Sequence, residues 1–195
     1  GADWQTEVTE ATEVQYPPDA PALEPGKAYR LVVEADGRSS QEEAGAGLGF
    51  TVLSPAEAEL AGAEEARARS LNLSPEATTL LVANLYAGQQ LYAEALQLLD
   101  QPAASAQPAL ARLRGDLLLT IGLVRSAEAA YSDALALSTQ TGDREGEALA
   151  SRGLGTVYQS LGNVDEAQRR LQEARTAYAA LGDANAVAEI DAALK

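Results

Sequence analysis

The chain has 195 residues, with 14 lysines and arginines against 29 aspartates and glutamates, so its formal net charge is −15. A field of this sign repels phosphate backbones, and we predict no nucleic-acid partner. The chain contains no cysteine and no histidine. It therefore has no disulfide, no thiolate metal ligand and no histidine general base. We predict a protein that is not an enzyme, with no catalytic residue, no metal site and no cofactor.

The start of the chain and its apolar runs give two further expectations. The sequence begins with Gly1 and Ala2 rather than methionine, which we interpret as a fragment of something longer. Even the apolar run 117–124 is broken by Thr120 and Gly122, so we predict no membrane insertion. The absence of cysteine leaves the cellular compartment undetermined.

Residues 1–53 are predicted to form a small β element. Two short runs, Leu31–Val33 and Phe50–Leu53, are rich in β-forming residues and are bounded by glycine, proline or serine. Trp4 and Tyr16 are expected to supply its bulk. The predicted division of the chain is therefore a β element over 1–53 and a helical domain over 54–195.

A more specific pattern surrounds the first of these runs. A Leu-x-Pro-Gly turn over 23–26 is followed by Tyr29 and then by alternating apolar residues. This pattern resembles the tyrosine corner of immunoglobulin-like and fibronectin type III domains, in which the tyrosine hydroxyl ties back to the preceding turn. The resemblance implies that Tyr29 has this role and that Leu31 and Val33 face inward.

The length of the β element limits its interpretation. About fifty residues are too few for a complete sandwich of roughly 100 residues. We interpret the element as the final strands of a truncated sandwich, or as a small sheet docked on the helices. Truncated sheet edges tend to pair with another chain, which makes a homodimer through residues 1–53 an expectation.

Two other patterns near the N-terminus have a simple explanation. The first two glycines of a dinucleotide-binding fingerprint occur at 45–49, but a strand rather than a helix follows, which favours a hairpin or a bulge. Adjacent glutamates at 42–43 and 64–65 should diverge, unlike the convergent carboxylates of hydrolases. We interpret both glutamate pairs as solvated charge.

The sequence becomes helical from residue 54. Ser54 and Ser74 each precede a proline and have the pattern of helix N-caps, and Asn163 and Glu166 have capping-box spacing. Gly182 has the position of a helix stop. These signals and the apolar periodicity predict eight helices, near 55–70, 75–88, 91–100, 106–121, 124–139, 144–161, 164–181 and 185–194.

The helical region repeats itself after 40 residues. Eight positions are identical when 108–147 is laid over 148–187: Arg112/Arg152, Gly115/Gly155, Gly122/Gly162, Val124/Val164, Ala127/Ala167, Ala134/Ala174, Gly142/Gly182 and Asp143/Asp183. The small residues recur at the spacing expected of two packed antiparallel helices. Such a repeat must stack on its neighbours to bury its apolar face.

The second copy closely resembles the tetratricopeptide repeat, which needs small residues at its helix crossing, a large apolar residue to fill the gap and a turn glycine. The matching residues are Leu154, Gly155, Tyr158, Gly162, Ala167, Leu171 and Ala174. The preceding copy matches at the corresponding positions with Gly115, Leu118, Gly122, Ala127, Tyr131 and Ala134.

A third and weaker copy has Ala83, Tyr86, Gln90, Ala95 and Leu99, with Gln90 in place of the turn glycine. The resemblance covers roughly 75–187. The 40-residue period fits the longer-helix variant of the family. It implies a mostly α fold, an α-solenoid of helix–turn–helix units behind a small N-terminal β element. The whole arrangement also resembles C-terminal regions of uncharacterised bacterial, mainly cyanobacterial, proteins.

The resemblance implies a protein or peptide partner, bound in the concave groove that the first helix of each repeat lines. The residues at matching positions are Asn84, Arg112, Asp116, Thr120, Arg152, Thr156 and Gln159. Two aligned arginines, Arg112 and Arg152, would suit a carboxylate or an acidic peptide. The alternative is that they only balance nearby Asp116 and Glu147.

The clamp that some members of the family use for chaperone tails is not predicted. Asn84 matches one of its five positions, but Leu80, Leu113, Leu149 and Gly153 occupy the others. We predict a non-enzymatic protein–protein interaction scaffold. The alternatives are a structural self-association element of a larger envelope or assembly protein, and the sensory or adaptor arm of a longer enzyme or regulator.

Overall fold

The computed structural model describes residues 4–9, 14–35, 38–39 and 49–194. The contacts within the chain divide it into two compact parts, Gly1–Ala63 and Glu64–Lys195. We call them the N-terminal part and the helical part. The division into 1–53 and 54–195 stays a prediction.

The N-terminal part contains four short strands among its described residues. They are β1 (Ala28–Arg30), β2 (Glu34–Ala35), β3 (Arg38–Ser39) and β4 (Gly49–Thr51). Strand β1 pairs antiparallel with β4, Tyr29 lying opposite Phe50, and β2 pairs antiparallel with β3. The aromatic rings of Tyr29 and Phe50 stack on each other, with their centroids 5.5 Å apart.

The Tyr29 hydroxyl ties back to the preceding turn, in agreement with the sequence. It accepts a hydrogen bond from the Glu24 backbone N–H at 2.6 Å. Trp4 and Tyr16, which were expected to supply the bulk of this element, form an aromatic contact, edge to face with centroids 5.1 Å apart. Membership of an immunoglobulin-like family stays a prediction.

The expectation that Leu31 and Val33 face inward is wrong. Their exposed fractions are 53% and 52%. Strand β1 ends at Arg30, so both residues lie beyond its pairing with β4. A two-stranded sheet also has no second layer of its own to cover them. The glycine pattern, apart from Gly49 in β4, and the glutamate pair at 42–43 lie outside the described residues.

From Pro55 onward the described chain is mostly helical. The helices are α1 (Pro55–Arg69), α2 (Pro75–Gly88), α3 (Tyr92–Leu99), α4 (Pro102–Ser105), α5 (Pro108–Thr120), α6 (Val124–Thr141), α7 (Arg144–Ser160), α8 (Val164–Leu181) and α9 (Ala184–Ala193). They pack in sequential pairs, so the predicted fold class is confirmed. We call α2–α3 the first repeat, α5–α6 the second and α7–α8 the third.

Helix α4 is the element that the sequence prediction missed. The prediction began a helix at 106, whereas the chain forms one short turn of helix and then begins α5 at Pro108. Each of the two helices has a proline at its first position. Proline is tolerated there because its missing N–H needs no partner, and it interrupts a helix elsewhere.

Side-chain caps fix the starts of several helices. Ser54 and Glu57 form a reciprocal capping box, and Ser74 accepts a hydrogen bond from the Ala77 N–H at 3.2 Å. Asn163 caps α8 by accepting from the Glu166 N–H at 3.3 Å. The Glu166 carboxylate binds Arg169 and Arg170 instead of completing a box.

The core of each repeat is a large side chain seated on a small residue. In the second repeat, a Cβ added to Gly115 would lie 2.9 Å from the Tyr131 ring. In the third, a Cβ on Gly155 would lie 2.7 Å from Leu171. Both distances are below normal van der Waals contact, so only glycine allows these helix pairs to approach as closely. This is the reason for the small residues in the repeat.

The turns between the helices of each repeat share a left-handed residue. Gly122 and Gly162 have φ of 81° and 73°, and Gln90 has φ of 62° at the equivalent turn of the first repeat. A non-glycine residue is strained in this region, because its Cβ approaches the following carbonyl.

Gln90→Gly is expected to raise the free energy of unfolding by about 1 kcal/mol, because it removes this strain. Urea denaturation measures the change. The matched control is Gln89→Gly, since Gln89 has an ordinary φ of −93°. It should lose stability, and a loss at position 90 would contradict the strain argument.

Ser138 on α6 is a second local defect. It is 1% exposed, and its hydroxyl makes no hydrogen bond within the described chain. The equivalent residue in the third repeat is Tyr178, which is also buried. A buried hydroxyl without a partner loses its interaction with water and gains nothing in return.

Ser138→Ala is therefore expected to raise the free energy of unfolding by about 1 kcal/mol. Urea denaturation again provides the measurement. Ser132→Ala is the control, because the exposed Ser132 hydroxyl already donates to the Glu128 carbonyl at 2.8 Å. Lower stability of the Ser138 variant would mean that its hydroxyl has a partner in solution.

Candidate partner-binding face

The seven residues predicted for partner binding lie on the first helices of three successive repeats. Asn84 is on α2; Arg112, Asp116 and Thr120 are on α5; Arg152, Thr156 and Gln159 are on α7. Residues four apart share one side of a helix, so the members on α5 lie in a row. We call these seven residues the first-helix face.

The first helices are neighbours in space. Helix α5 contacts both α2 and α7, whereas no contact of comparable extent joins the second helices α6 and α8. The first helices are thus closer to each other than the second helices are. A stack with this difference curves toward its first helices.

Arg112 is tied to the core of its own repeat. Its guanidinium contacts the Asp116 carboxylate at 2.5 Å, and the other oxygen of that carboxylate accepts a hydrogen bond from the Tyr131 hydroxyl at 2.6 Å. Tyr131 is only 3% exposed. Burial first, and the hydrogen bond to Asp116 second, raise the pKa of Tyr131. The Asp116 carboxylate therefore binds both a buried residue, Tyr131, and a surface residue, Arg112.

Arg152, at the equivalent position of the third repeat, has a different partner. It forms an ion pair with Glu189 of α9 at 3.0 Å. The expectation that Glu147 would balance it is wrong, because Glu147 binds Arg144 at 2.9 Å. Glu147 lies five residues before Arg152 on α7, outside the i, i+3 and i, i+4 spacings that bring side chains together on a helix.

The small polar members of the face bind their own helices. The hydroxyls of Thr120 and Thr156 donate to the carbonyls four residues earlier, at 2.8 and 3.3 Å. The Asn84 amide donates to the Leu80 carbonyl at 2.7 Å. Gln159 instead reaches the Ala193 carbonyl of α9 at 3.4 Å. All four residues are exposed.

Helix α9 lies next to α7, the last helix of the first-helix face, and is bound by both α7 and α8. Arg152 and Gln159 join it to α7, and Arg175 of α8 binds Asp191 through two contacts at 2.5 and 3.2 Å. A bidentate arginine–carboxylate pair fixes orientation as well as distance. Sequence reasoning missed this second pair, since nothing in the repeat marks Arg175, which replaces Leu135.

Tyrosine–carboxylate hydrogen bonds join neighbouring helices at two further places. Tyr86 donates to Glu65 at 2.6 Å, and Tyr158 donates to Glu128 at 2.9 Å. The bond to Glu65, more than burial, raises the pKa of Tyr86 to about 12. The same bond holds the pKa of Glu65 below its ordinary value. Both tyrosines are half-buried, so packing explains only part of their role.

The interpretation of the pair at 64–65 as solvated charge is accordingly wrong. Glu65 accepts from Tyr86, and Glu64 accepts from the Gln89 amide. Both acceptors on α1 meet donors near the end of α2. The sequence could not show this, because the partners are more than 20 residues apart.

The described residues contain neither a metal-binding cluster nor a membrane-spanning helix. No group of three or more histidine, cysteine, aspartate or glutamate residues is arranged to hold a metal ion there. No helix in that part of the chain is both long and apolar enough to cross a membrane.

Comparison with known proteins identifies the repeat. Residues 106–180 match the family model for the tetratricopeptide repeat. No curated protein matches the chain. Among solved structures, the chain is similar to MamA at 19% identity and a TM-score of 0.46, over 65% of this chain and 80% of that one. It is similar to BtubC (BKLC) from P. vanneervenii at 19% identity and a TM-score of 0.46, over 69% of each chain.

Tetratricopeptide repeats are generally protein–protein interaction scaffolds and are typically non-catalytic. The matched segment runs from just before α5 to the end of α8, and so contains the second and third repeats. The match to the tetratricopeptide-repeat model thus covers residues 106–180 of this chain.

Proposed function

We propose that this protein is a non-enzymatic scaffold that binds an extended peptide or a partner helix on its first-helix face. The match of residues 106–180 to the tetratricopeptide-repeat model supports a protein partner. The succession of contacts from α2 to α5 to α7 supports a continuous surface. A curve toward the first helices favours this side as the concave one.

The ion pair of Arg152 is the observation that carries the proposal. The side chains of Arg152 and Glu189 are 44% and 60% exposed. Exposed ion pairs contribute about 0–1 kcal/mol, so a carboxylate of the partner can displace Glu189 at little cost. Arg112 is less available, because its side chain is 28% exposed and bound to Asp116. We therefore rank Arg152 first and Arg112 second.

The remaining members of the face suit a peptide backbone. The hydroxyls of Thr120 and Thr156 already donate to their helices, and a hydroxyl oxygen keeps lone pairs that can accept a further hydrogen bond. Asn84 uses its amide N–H in the same way and retains its carbonyl oxygen as an acceptor. The face thus combines arginine for an acidic side chain with acceptors for backbone N–H groups.

Charge reversal tests the proposal. In a crosslinking capture from the source cell lysate, Arg152→Glu should retain about tenfold less partner than the wild type, and Arg112→Glu/Arg152→Glu should retain none. The reason is that the carboxylate of the partner would then meet a like charge.

The matched control is Arg144→Glu, which makes the same charge change on the same helix. Arg144 is also paired with a glutamate, Glu147, but it lies outside the face and is 76% exposed. Equal capture by the wild type and the double variant, with unchanged circular dichroism, would contradict the assignment.

The exposed apolar residues of the N-terminal part favour one alternative, a structural self-association element. Leu31, Val33 and Phe50 are each at least half exposed. Exposed apolar side chains on and beside short strands favour pairing with a second copy. This alternative predicts a concentration-dependent oligomer without added ligand, which Phe50→Asp should abolish in sedimentation velocity. A monomer at every concentration would rule out this alternative.

A further inference from the structure

Two successive turns of the helical part expose apolar side chains along one edge. The first turn, between α5 and α6, exposes Ile121 by 37% and Leu123 by 49%. The second turn, between α7 and α8, exposes Leu161 by 36%, and Val164, the first residue of α8, is 62% exposed. The two turns are equivalent in the 40-residue repeat, so these side chains lie on the same edge of the stack.

Opposite charges lie at one equivalent position just after these two turns, apart from Glu166, which is paired with Arg169 and Arg170. Arg125 and Asp165 are exactly one repeat apart, in the first turns of α6 and α8. Both are exposed, and neither forms an ion pair within the described chain. Together with the four apolar residues, Arg125 and Asp165 form what we call the turn edge.

Two residues at the start of α6 are unfavourable for the stability of this helix. Leu123 occupies the N-cap and makes no side-chain cap hydrogen bond, whereas Asn163 caps α8 at the equivalent position. Arg125 places a positive charge at the positive end of the helix dipole, where Asp165 has the favoured sign. A missing cap costs about 1 kcal/mol. Local rules broken in this way are expected where a residue serves another contact.

We propose that the turn edge is the contact surface of a two-fold dimer of this protein. In a two-fold interface, residue i of one copy meets residue j of the other, and j meets i. With the axis between the two turns, Arg125 of one copy faces Asp165 of the second copy, and the reverse pair forms as well. Ile121 and Leu123 then cover Leu161 and Val164. The edge is complementary to itself in both charge and apolar surface.

Charge exchange tests the dimer by sedimentation velocity of the full chain over about a hundredfold range of concentration. Physiological salt is suitable, because a Debye length of about 8 Å screens the repulsion between two acidic copies. Arg125→Asp and Asp165→Arg should each weaken dimerisation about tenfold or more, because each creates two like-charge contacts per dimer. The combination Arg125→Asp/Asp165→Arg should restore it.

Leu123→Asn separates interface from folding. It copies Asn163, so it should supply the missing cap and raise the melting temperature while weakening the dimer. Arg144→Asp is the control for net charge, since Arg144 lies away from the turn edge, and it should leave the dimer unchanged.

Three outcomes would overturn the proposal. They are a monomer at all concentrations, a dimer unaffected by the single reversals, and a failure of the double exchange to restore association. The second outcome would assign self-association to another surface, such as residues 1–53. None of these outcomes depends on whether the first-helix face binds a peptide.

Discussion

The close approach of paired helices is the constraint on which the helical part depends. At Gly115 and Gly155 a single Cβ would collide with the large residue of the facing helix. Ala83 and Leu99 form the corresponding buried pair in the first repeat. Since each repeat buries its apolar face only against its neighbours, one pair held too far apart would also disturb the next.

The choice of large residue then determines the surface above it. Tyr131 brings a hydroxyl into the core, and Asp116 accepts its hydrogen bond and binds Arg112. In the third repeat Leu171 has no hydroxyl, and Thr156 stands where Asp116 stood. Arg152 has no carboxylate four residues ahead on its own helix, and it reaches Glu189 on α9 instead. Two arginines at identical repeat positions thus differ because the residues beneath them differ.

This dependence explains how far the sequence could predict the candidate face. Repeat alignment gave the first helices and placed the seven residues on them, because glycine turns and caps are local signals. It gave the partner of Arg112, four residues away on the same helix. It could not give the partner of Arg152, since Glu189 is 37 residues away on a helix whose packing depends on the whole third repeat. Contacts between neighbouring helices, such as that of Tyr86 with Glu65, are beyond local pattern for the same reason.

The same limit applies to the β element, where a local contact could be predicted from the sequence and the extent of strand pairing could not. The turn before Tyr29 was predicted because both partners of the hydrogen bond lie within six residues, Glu24 to Tyr29. The direction of Leu31 and Val33 depended on how far β1 remains paired, and pairing ends at Arg30. The resemblance to the tyrosine corner, with its alternating apolar residues, therefore suggested an inward face that the short sheet does not provide.

Differences between repeats are as informative as their identities. Leu91 and Leu123 hold the same N-cap position in successive repeats, and neither caps its helix. Leu91 is half-buried, so packing within the chain compensates for its missing cap. Leu123 has the same defect with nearly half of its surface in water. Packing within the chain therefore compensates Leu123 less than Leu91, and a second molecule covering the turn edge would bury the remaining surface.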